Sequence, residues 1–251
     1  MPSTRRATFL IVPLVSLAAL ATACGTPSDS DTGTRRKPSV IGAGPLSPTG
    51  AAERSDADRD LLEAARSGDA DAVRDAIERG AGLETRDKDR RTPLLLAATG
   101  DHVRAAGVLV DAGADPDALD RQHDTPWLVT GVTGSAAMAR TLAAADPDYT
   151  VVNRYGGTSL IPAGEHGHVA YVREVTTNPD IDIDVDHVND LGWTALLEAV
   201  ILGDGGEDHQ ETVKLLLAAG ADPTIEDRTG TTALQHARQR GFDEIARLLG
   251  G

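Results

Sequence analysis

The sequence predicts an all-α solenoid of about six stacked helix-turn-helix units joined by short β-hairpin-like fingers, set behind an export signal and a linker. Three observations predict it. The segments "RTPLLLAATG", "DTPWLVTGVTG", "GTSLIPAGEHG", "WTALLEAVILG" and "TTALQHARQRG" place Thr at 92, 125, 158, 194 and 232, at intervals of 33, 33, 36 and 38. Gly68, Gly134, Gly167, Gly203 and Gly241 share one repeat position, with Asp101 as the exception, and Gly80, Gly113 and Gly220 end second helices. The chain also holds only two Phe, two Trp and three Tyr, so its core rests on Leu, Ala, Val and Ile, which suits thin repeated layers better than one thick core.

The chain opens with "MPSTRRATFLIVPLVSLAALATACG": two arginines, an apolar run from Phe9 to about Leu20, then small residues, the tripartite layout of an export signal over 1–24. The run is short for a membrane span. Two processing readings stand at its end. Ala21-Thr22-Ala23 fits ordinary signal peptidase, and the same residues resemble a bacterial lipobox that lipidates Cys24, although Ala21 stands where such boxes usually carry Leu. Cys24 is the only cysteine, so no intrachain disulfide forms. Arg5-Arg6 before Phe9-Leu10 loosely resembles a twin-arginine signal, leaving the export route open. The lipidated reading predicts a chain anchored on the outer side of the cell membrane; the other predicts a secreted or periplasmic one.

Residues 25–55 are rich in Gly, Pro, Ser and Thr, with a basic cluster at Arg35 to Lys37. Such composition predicts a disordered tether reaching roughly 30 Å as a flexible coil. The repeat domain then runs over 56–251. Its first unit, "RDLLEAARSG", has Arg59 and Asp60 at the positions of Thr and Pro, which predicts a polar cap. In "TPLLLAA" Pro93 falls in the first turn, where a missing N–H costs nothing, and Leu94, Ala97 and Ala98 mark a buried face. "VLVDAG" and "VKLLLAAG" supply second helices with glycine stops. Trp127 takes a core Leu position, Pro162 interrupts the fourth unit and "TTNPD" ends its second helix, so units three and four are predicted to be the least regular.

A period of 33 residues with T-P-L, A-A, Gly and a closing G-A-D resembles the ankyrin repeat, over about four fifths of the chain. One departure is consistent: where that family carries His after T-P-L, this chain has Leu95, Leu128, Ile161, Leu197 and Gln235. The departure predicts that the usual His-mediated bonds between layers, from that position, are absent. In ankyrin proteins the finger tips commonly contact partners. The resemblance therefore implies contacts from Lys88, Asp89 and Arg91; Arg121, Gln122 and Asp124; Arg154 and Tyr155; Asp190, Leu191 and Trp193; and Arg228, Thr229 and Thr231. Trp193 is read either as an exposed aromatic anchor, the reading expected, or as an indole that covers the edge of the finger and packs against Leu191 or Val185.

Asp180 to Asp190, "DIDIDVDHVND", sets five acids in eleven residues, four of them alternating against Ile181, Ile183 and Val185. As an extended finger strand it would show Asp180, Asp182, Asp184 and Asp186 to solvent. A calcium loop fails on spacing, because starts at Asp180 or Asp182 would need Gly at Val185 or His187 and Glu at Leu191 or Trp193. Three readings remain for this stretch: a solvated face, an acidic partner surface, and a weak irregular cation site. His166-Gly167-His168 sits at a helix turn and carries no metal spacing, His209-Gln-Glu is no zincin motif, and Gly134-Ser135 lacks the nucleophile-elbow frame. No metal, cofactor or catalytic residue is expected. The insertion "DGGED", Asp204 to Asp208, lengthens the turn of the fifth unit, as a tolerated loop or a second contact element.

From Asp56 onward 36 acids face 18 Lys plus Arg, so the body is about eighteen charges negative. It should repel nucleic acid and anionic lipid, leaving a lipid anchor as the membrane contact and a protein, one with a basic surface, as the expected partner. The function expected is an exported, tethered protein-protein interaction scaffold binding through finger tips and concave face. An accessory subunit that stabilises an exported enzyme is the alternative, and an intrinsic hydrolase the third reading.

Overall fold

The computed structural model describes residues 48–251, with side chains from residue 55 onward. Cys24, the export signal and residues 25–47 of the linker lie outside the described residues. The helix periodicity builds two rows. Helices α1 (Pro48–Ser67), α3 (Pro93–Thr99), α5 (Leu128–Thr133), α7 (Leu160–His166), α9 (Ala195–Ile201) and α11 (Ala233–Arg240) pack each on the next. Behind them run α2 (Ala70–Glu78), α4 (Val103–Asp111), α6 (Ala136–Ala143), α8 (Val169–Thr177), α10 (Glu207–Ala218) and α12 (Asp243–Leu248), packed in the same sequence. Six helix pairs result among the described residues. Helix α1 already begins at Pro48, so the last part of the stretch read as linker is helical.

The recurring Thr earns its position as a helix cap. The hydroxyls of Thr92, Thr125, Thr194 and Thr232 accept the backbone N–H three residues on, at Leu95, Leu128, Leu197 and Gln235, and Gln235 completes a reciprocal capping box. Behind that cap the first helix is sandwiched on all sides: every residue of α3 from Pro93 to Ala98 is buried. The outer side of α1 is polar, with Arg59 paired to Asp56 and Asp60 to Arg79, while Ala57, Leu61, Ala64 and Ala65 bury their side chains. That is the cap the sequence predicted.

Units three and four depart from the pattern, as expected, and the reasons are local. Trp127 is buried with no partner for its indole N–H, and Tyr149 packs edge-on at 4.8 Å between ring centroids. Tyr171 of α8 is fully buried, its hydroxyl 2.8 Å from Thr130 of α5, and burial pushes its ionisation up to about 12. Thr158 and Ser159, just ahead of α7, bury their hydroxyls without capping its backbone N–H groups, so α7 starts uncapped. Pro162 does not break α7, because it stands third in the helix where no intrahelical N–H bond is lost.

Layers are joined by side chains reaching back to the preceding unit. The Nε2 atoms of His102, His168 and His209 donate to the carbonyls of Arg66, Val132 and Glu165, at 3.0, 3.1 and 2.9 Å. In the last layer, where Phe242 takes that position, Arg240 reaches the carbonyls of Ile201 and Gly203. The usual bonds from a histidine after T-P-L are absent, as expected, yet histidines at another repeat position join the layers. They come from the start of the second helix, not from the position after T-P-L, because that is where a side chain meets the carbonyl end of the neighbouring first helix.

Candidate protein-binding edge

Each finger is built on one acid or amide five residues before the Thr. One side-chain oxygen of Asp87 accepts the N–H of Asp89 and of Arg91, at 2.9 and 3.0 Å. Asp120, Asn153, Asn189 and Asp227 repeat the pair of bonds with the residues two and four further on. The same anchor exchanges backbone bonds across the turn, as Asn189 N–H does with the Trp193 carbonyl at 3.0 Å. A short polar side chain that folds onto its own backbone closes a turn without a sheet. The fingers are accordingly turns: an isolated bridge from Glu226 to Thr232 is the one β pairing among the described residues.

Neighbouring fingers touch. Arg121 N–H donates to the Asp89 carbonyl at 3.1 Å, Arg154 donates to the Gln122 side chain at 3.1 Å, and Asp190 N–H donates to the Tyr155 carbonyl at 2.9 Å. The tips thus form an edge along the stack. Of the predicted contact residues, Lys88, Arg121, Gln122, Arg154, Tyr155, Asp190, Leu191, Arg228 and Thr229 are exposed on it. Asp89, Arg91, Asp124 and Thr231 are half-buried; Arg91 is bound to Asp87, and Asp124 lies 3.6 Å from Arg154.

Trp193 is not an exposed anchor. Its indole is half-buried and packs against the hydrophobic core, because the position just before the capping Thr lies where the finger turns down into the helices. The acidic stretch is likewise no regular strand, since a turn interrupts it at Val185 and Asp186. Its alternation survives: Ile181 is buried, Ile183 and Val185 are half-buried, and Asp180, Asp182 and Asp184 are exposed. Asp186 instead bends back to accept the Asp222 N–H at 2.8 Å, stapling one layer to the next. Among the described residues no group of three or more His, Cys, Asp or Glu is arranged to hold a metal ion.

A family model for ankyrin repeats matches in three copies, over residues 61–153, 133–227 and 181–250. The chain belongs to the ankyrin repeat family. An ankyrin repeat protein of Escherichia coli (strain K12), YahD, is 47% identical over 81 residues, 32% of this chain and 39% of that protein. An ankyrin repeat domain from Acinetobacter baumannii AYE, ABAYE2397, is 43% identical with a TM-score of 0.70 over 75% of this chain and 95% of its own. The ankyrin repeat protein EF0377 shows 37% identity and a TM-score of 0.73, covering 77% of this chain and 97% of its own. The ankyrin repeat domain of Bcl-3, a member of the IkappaB family, gives 28% identity and 0.67, over 76% and 84%. Ankyrin repeats are in general modules for binding other proteins.

Sequence reading missed two features of this ankyrin array. The anchors Asp87, Asp120, Asn153, Asn189 and Asp227 were visible as a period, yet their bonds were not. One position before each anchor is a second row, in which Leu119, Val152 and Val188 are exposed on three successive fingers. Net charge also misleads at the tips. In the four residues after each anchor, six cations (Lys88, Arg90, Arg91, Arg121, Arg154, Arg228) face three acids (Asp89, Asp124, Asp190), and the anchors Asp87, Asp120 and Asp227 add three more, so the fingers are close to neutral on a strongly negative body, with their exposed cations Lys88, Arg121 and Arg154 in one row. Deeper in the array, Glu198 of α9 is buried and accepts the Asn189 amide at 2.9 Å. Burial first, and the nearby Glu165 second, push its carboxyl up to about 7 against the opposing Asn189 bond.

The insertion is folded into the ankyrin stack. Glu207 and Asp208 form the first turn of α10, and Asp204 accepts Gly206 N–H and the His209 ring, both at 2.8 Å. Gly205 lies under the Phe242 ring of the last layer, where a Cβ would stand 2.5 Å from it, so Gly205 takes the stacking place that the sequence assigned to Gly203.

Proposed function

We propose that this chain is an exported, lipid-tethered scaffold that binds another protein along its finger edge. The carrying observation is the edge itself: five fingers, each anchored by the same pair of side-chain bonds, hold variable tip residues in a line, with Lys88, Arg121, Tyr155, Leu191 and Arg228 exposed on it. A stack of layers presents such a line as one extended surface, which suits a binding module better than a catalyst. The tether reading rests on the amino-terminal sequence alone, Cys24 standing at the end of an export signal and ahead of a Gly/Pro/Ser/Thr-rich linker. Two or more acyl chains on such a residue anchor stably where one does not.

Two experiments test the two halves. A photo-crosslinking residue at Gln122 or Tyr155 in the full chain should capture one protein in intact cells, and the same residue at Arg104 on α4 should not. Equal capture from α4 would remove the finger edge as the binding surface. Intact-mass measurement of the membrane fraction should show a chain starting at Cys24 with added diacylglycerol. An unmodified soluble chain starting there would replace tethering with secretion.

A further inference from the structure

Resting on that reading of the finger edge, we propose that its occupant is an acidic segment studded with apolar side chains, lying extended across the first four fingers. Two rows in register point to it. Leu119, Val152 and Val188, one position before their anchors, are 40%, 36% and 46% exposed on consecutive fingers. Single exposed apolar residues are ordinary, but the same repeat position left apolar and open three times in succession is a stripe. Tyr155 and Leu191 extend it at the tips, 51% and 50% exposed.

One position after the anchors runs the second row, cationic on the first three fingers. Lys88 and Arg121 make no ion pair among the described residues, and Arg154, lying 4.6 Å from the Tyr155 ring centroid, is shared with the Asp124 carboxylate at 3.6 Å. A segment matching both rows needs carboxylates for the cations and apolar groups for the stripe. Packed helical layers repeat at roughly 10 Å, and a chain extended as polyproline II advances about 3.1 Å per residue with three residues per turn, so the apolar side chains facing the stripe recur at about every third position. A long uniform polyanion fits badly. The cations are confined to the tips, while the exposed Asp115, Asp148 and Asp182 further down the fingers belong to a body that repels it. The basic partner expected from net charge is thereby reversed at the edge.

A random peptide library displayed on phage and selected against the full chain tests this, with enriched peptides measured by fluorescence polarisation. The enriched pool should be negatively charged with apolar residues recurring about every third position. Its members should bind at least about tenfold more weakly to R121E/R154E, lose affinity with added salt, and bind R104E as they bind the unmodified chain. Should the charge reversal fail to fold, R121Q/R154Q and the salt dependence report the same charge. Basic or neutral peptides that lose affinity on L119S/V152S would overturn the acidic segment and leave the binding edge standing. Peptides indifferent to every finger variant would overturn both. Tighter binding of oligothymidylate or of phosphatidylglycerol vesicles than of the enriched peptides would overturn the proposal in favour of a polyanion.

Discussion

The imidazole of His168 lies over the Cα of Gly134, so close that a Cβ there would stand 2.5 Å from the ring. Gly134 has φ of 71°, and the ring it admits donates to the Val132 carbonyl of the same turn. The glycine is therefore required twice, for its backbone conformation and for the room it leaves. Gly241 has the same φ of 71° but, among the described residues, no atom within 4 Å of such a Cβ.

Those two glycines separate the terms. Gly241→Ala should cost about 1 kcal/mol, the left-handed conformation alone. Gly134→Ala should cost roughly 2–4 kcal/mol, and in the His168→Ala background should fall back to about 1 kcal/mol. Chemical denaturation of the four variants measures it, and additive effects of Gly134→Ala and His168→Ala would show that the ring accommodates the methyl.

Glu198 makes stability fall as pH rises from mild acid toward neutrality. A carboxyl raised to about 7 holds its proton in the folded state after the unfolded chain has lost it, so the folded state binds more protons between about 4.5 and 7 and loses stability across that window. The loss is bounded at roughly 3 kcal/mol. Glu174, held low first by Arg140, and Asp227, held low first by Thr229, act oppositely: their stabilisation is present above the usual carboxylate range and lost on acidification. Thermal midpoints should therefore peak in mild acid, and Glu198→Gln, which preserves the Asn189 contact, should flatten the decline from pH 5 to pH 8. An unchanged decline in that variant would assign it to other groups.

Trp193→Ala should lower the unfolding midpoint before it affects binding. The indole packs on the core, and its backbone N–H is held by Asn189 at 3.0 Å, so truncation removes apolar burial worth about 1–3 kcal/mol. Trp193→Phe should recover most of that. A reduced affinity for finger-bound peptides at an unchanged midpoint would restore the indole as a binding anchor.

Asp146 stands where Gly80, Gly113 and Gly220 close the other second helices, and it adopts φ of 52°. Aspartate tolerates that conformation at a cost that glycine avoids. Asp146→Gly should therefore stabilise the fold by about 0.5–1 kcal/mol in chemical denaturation. Destabilisation would mean that the carboxylate makes a favourable interaction there that outweighs the strain.

Much of the architecture was legible in one dimension because a solenoid repeats its local environment. The Thr spacing marked five helix starts, four of which the Thr hydroxyl caps, and the Asp and Asn period marked the fingers. Pro162 and Trp127 flagged the irregular layers because each contradicts the residue type its repeat position requires. These signals depend on neighbours in sequence, and periodicity exposes them.

What the chain alone determined is therefore the repeat, the order of its elements, the export-signal pattern and the sign of its net charge. Tertiary structure decided which side chain meets which layer. His102, His168 and His209 bond to carbonyls 36, 36 and 44 residues away, Asp204 captures His209, and Glu198 is buried beside Glu165, none of which a period can reveal. It also turned Trp193 inward and lined up Lys88, Arg121 and Arg154 beside Leu119, Val152 and Val188. The physical reason is that burial and charge act through space. A sum over the sequence averages the tips with the body, whereas a partner meets only the groups that stacking brings to one edge.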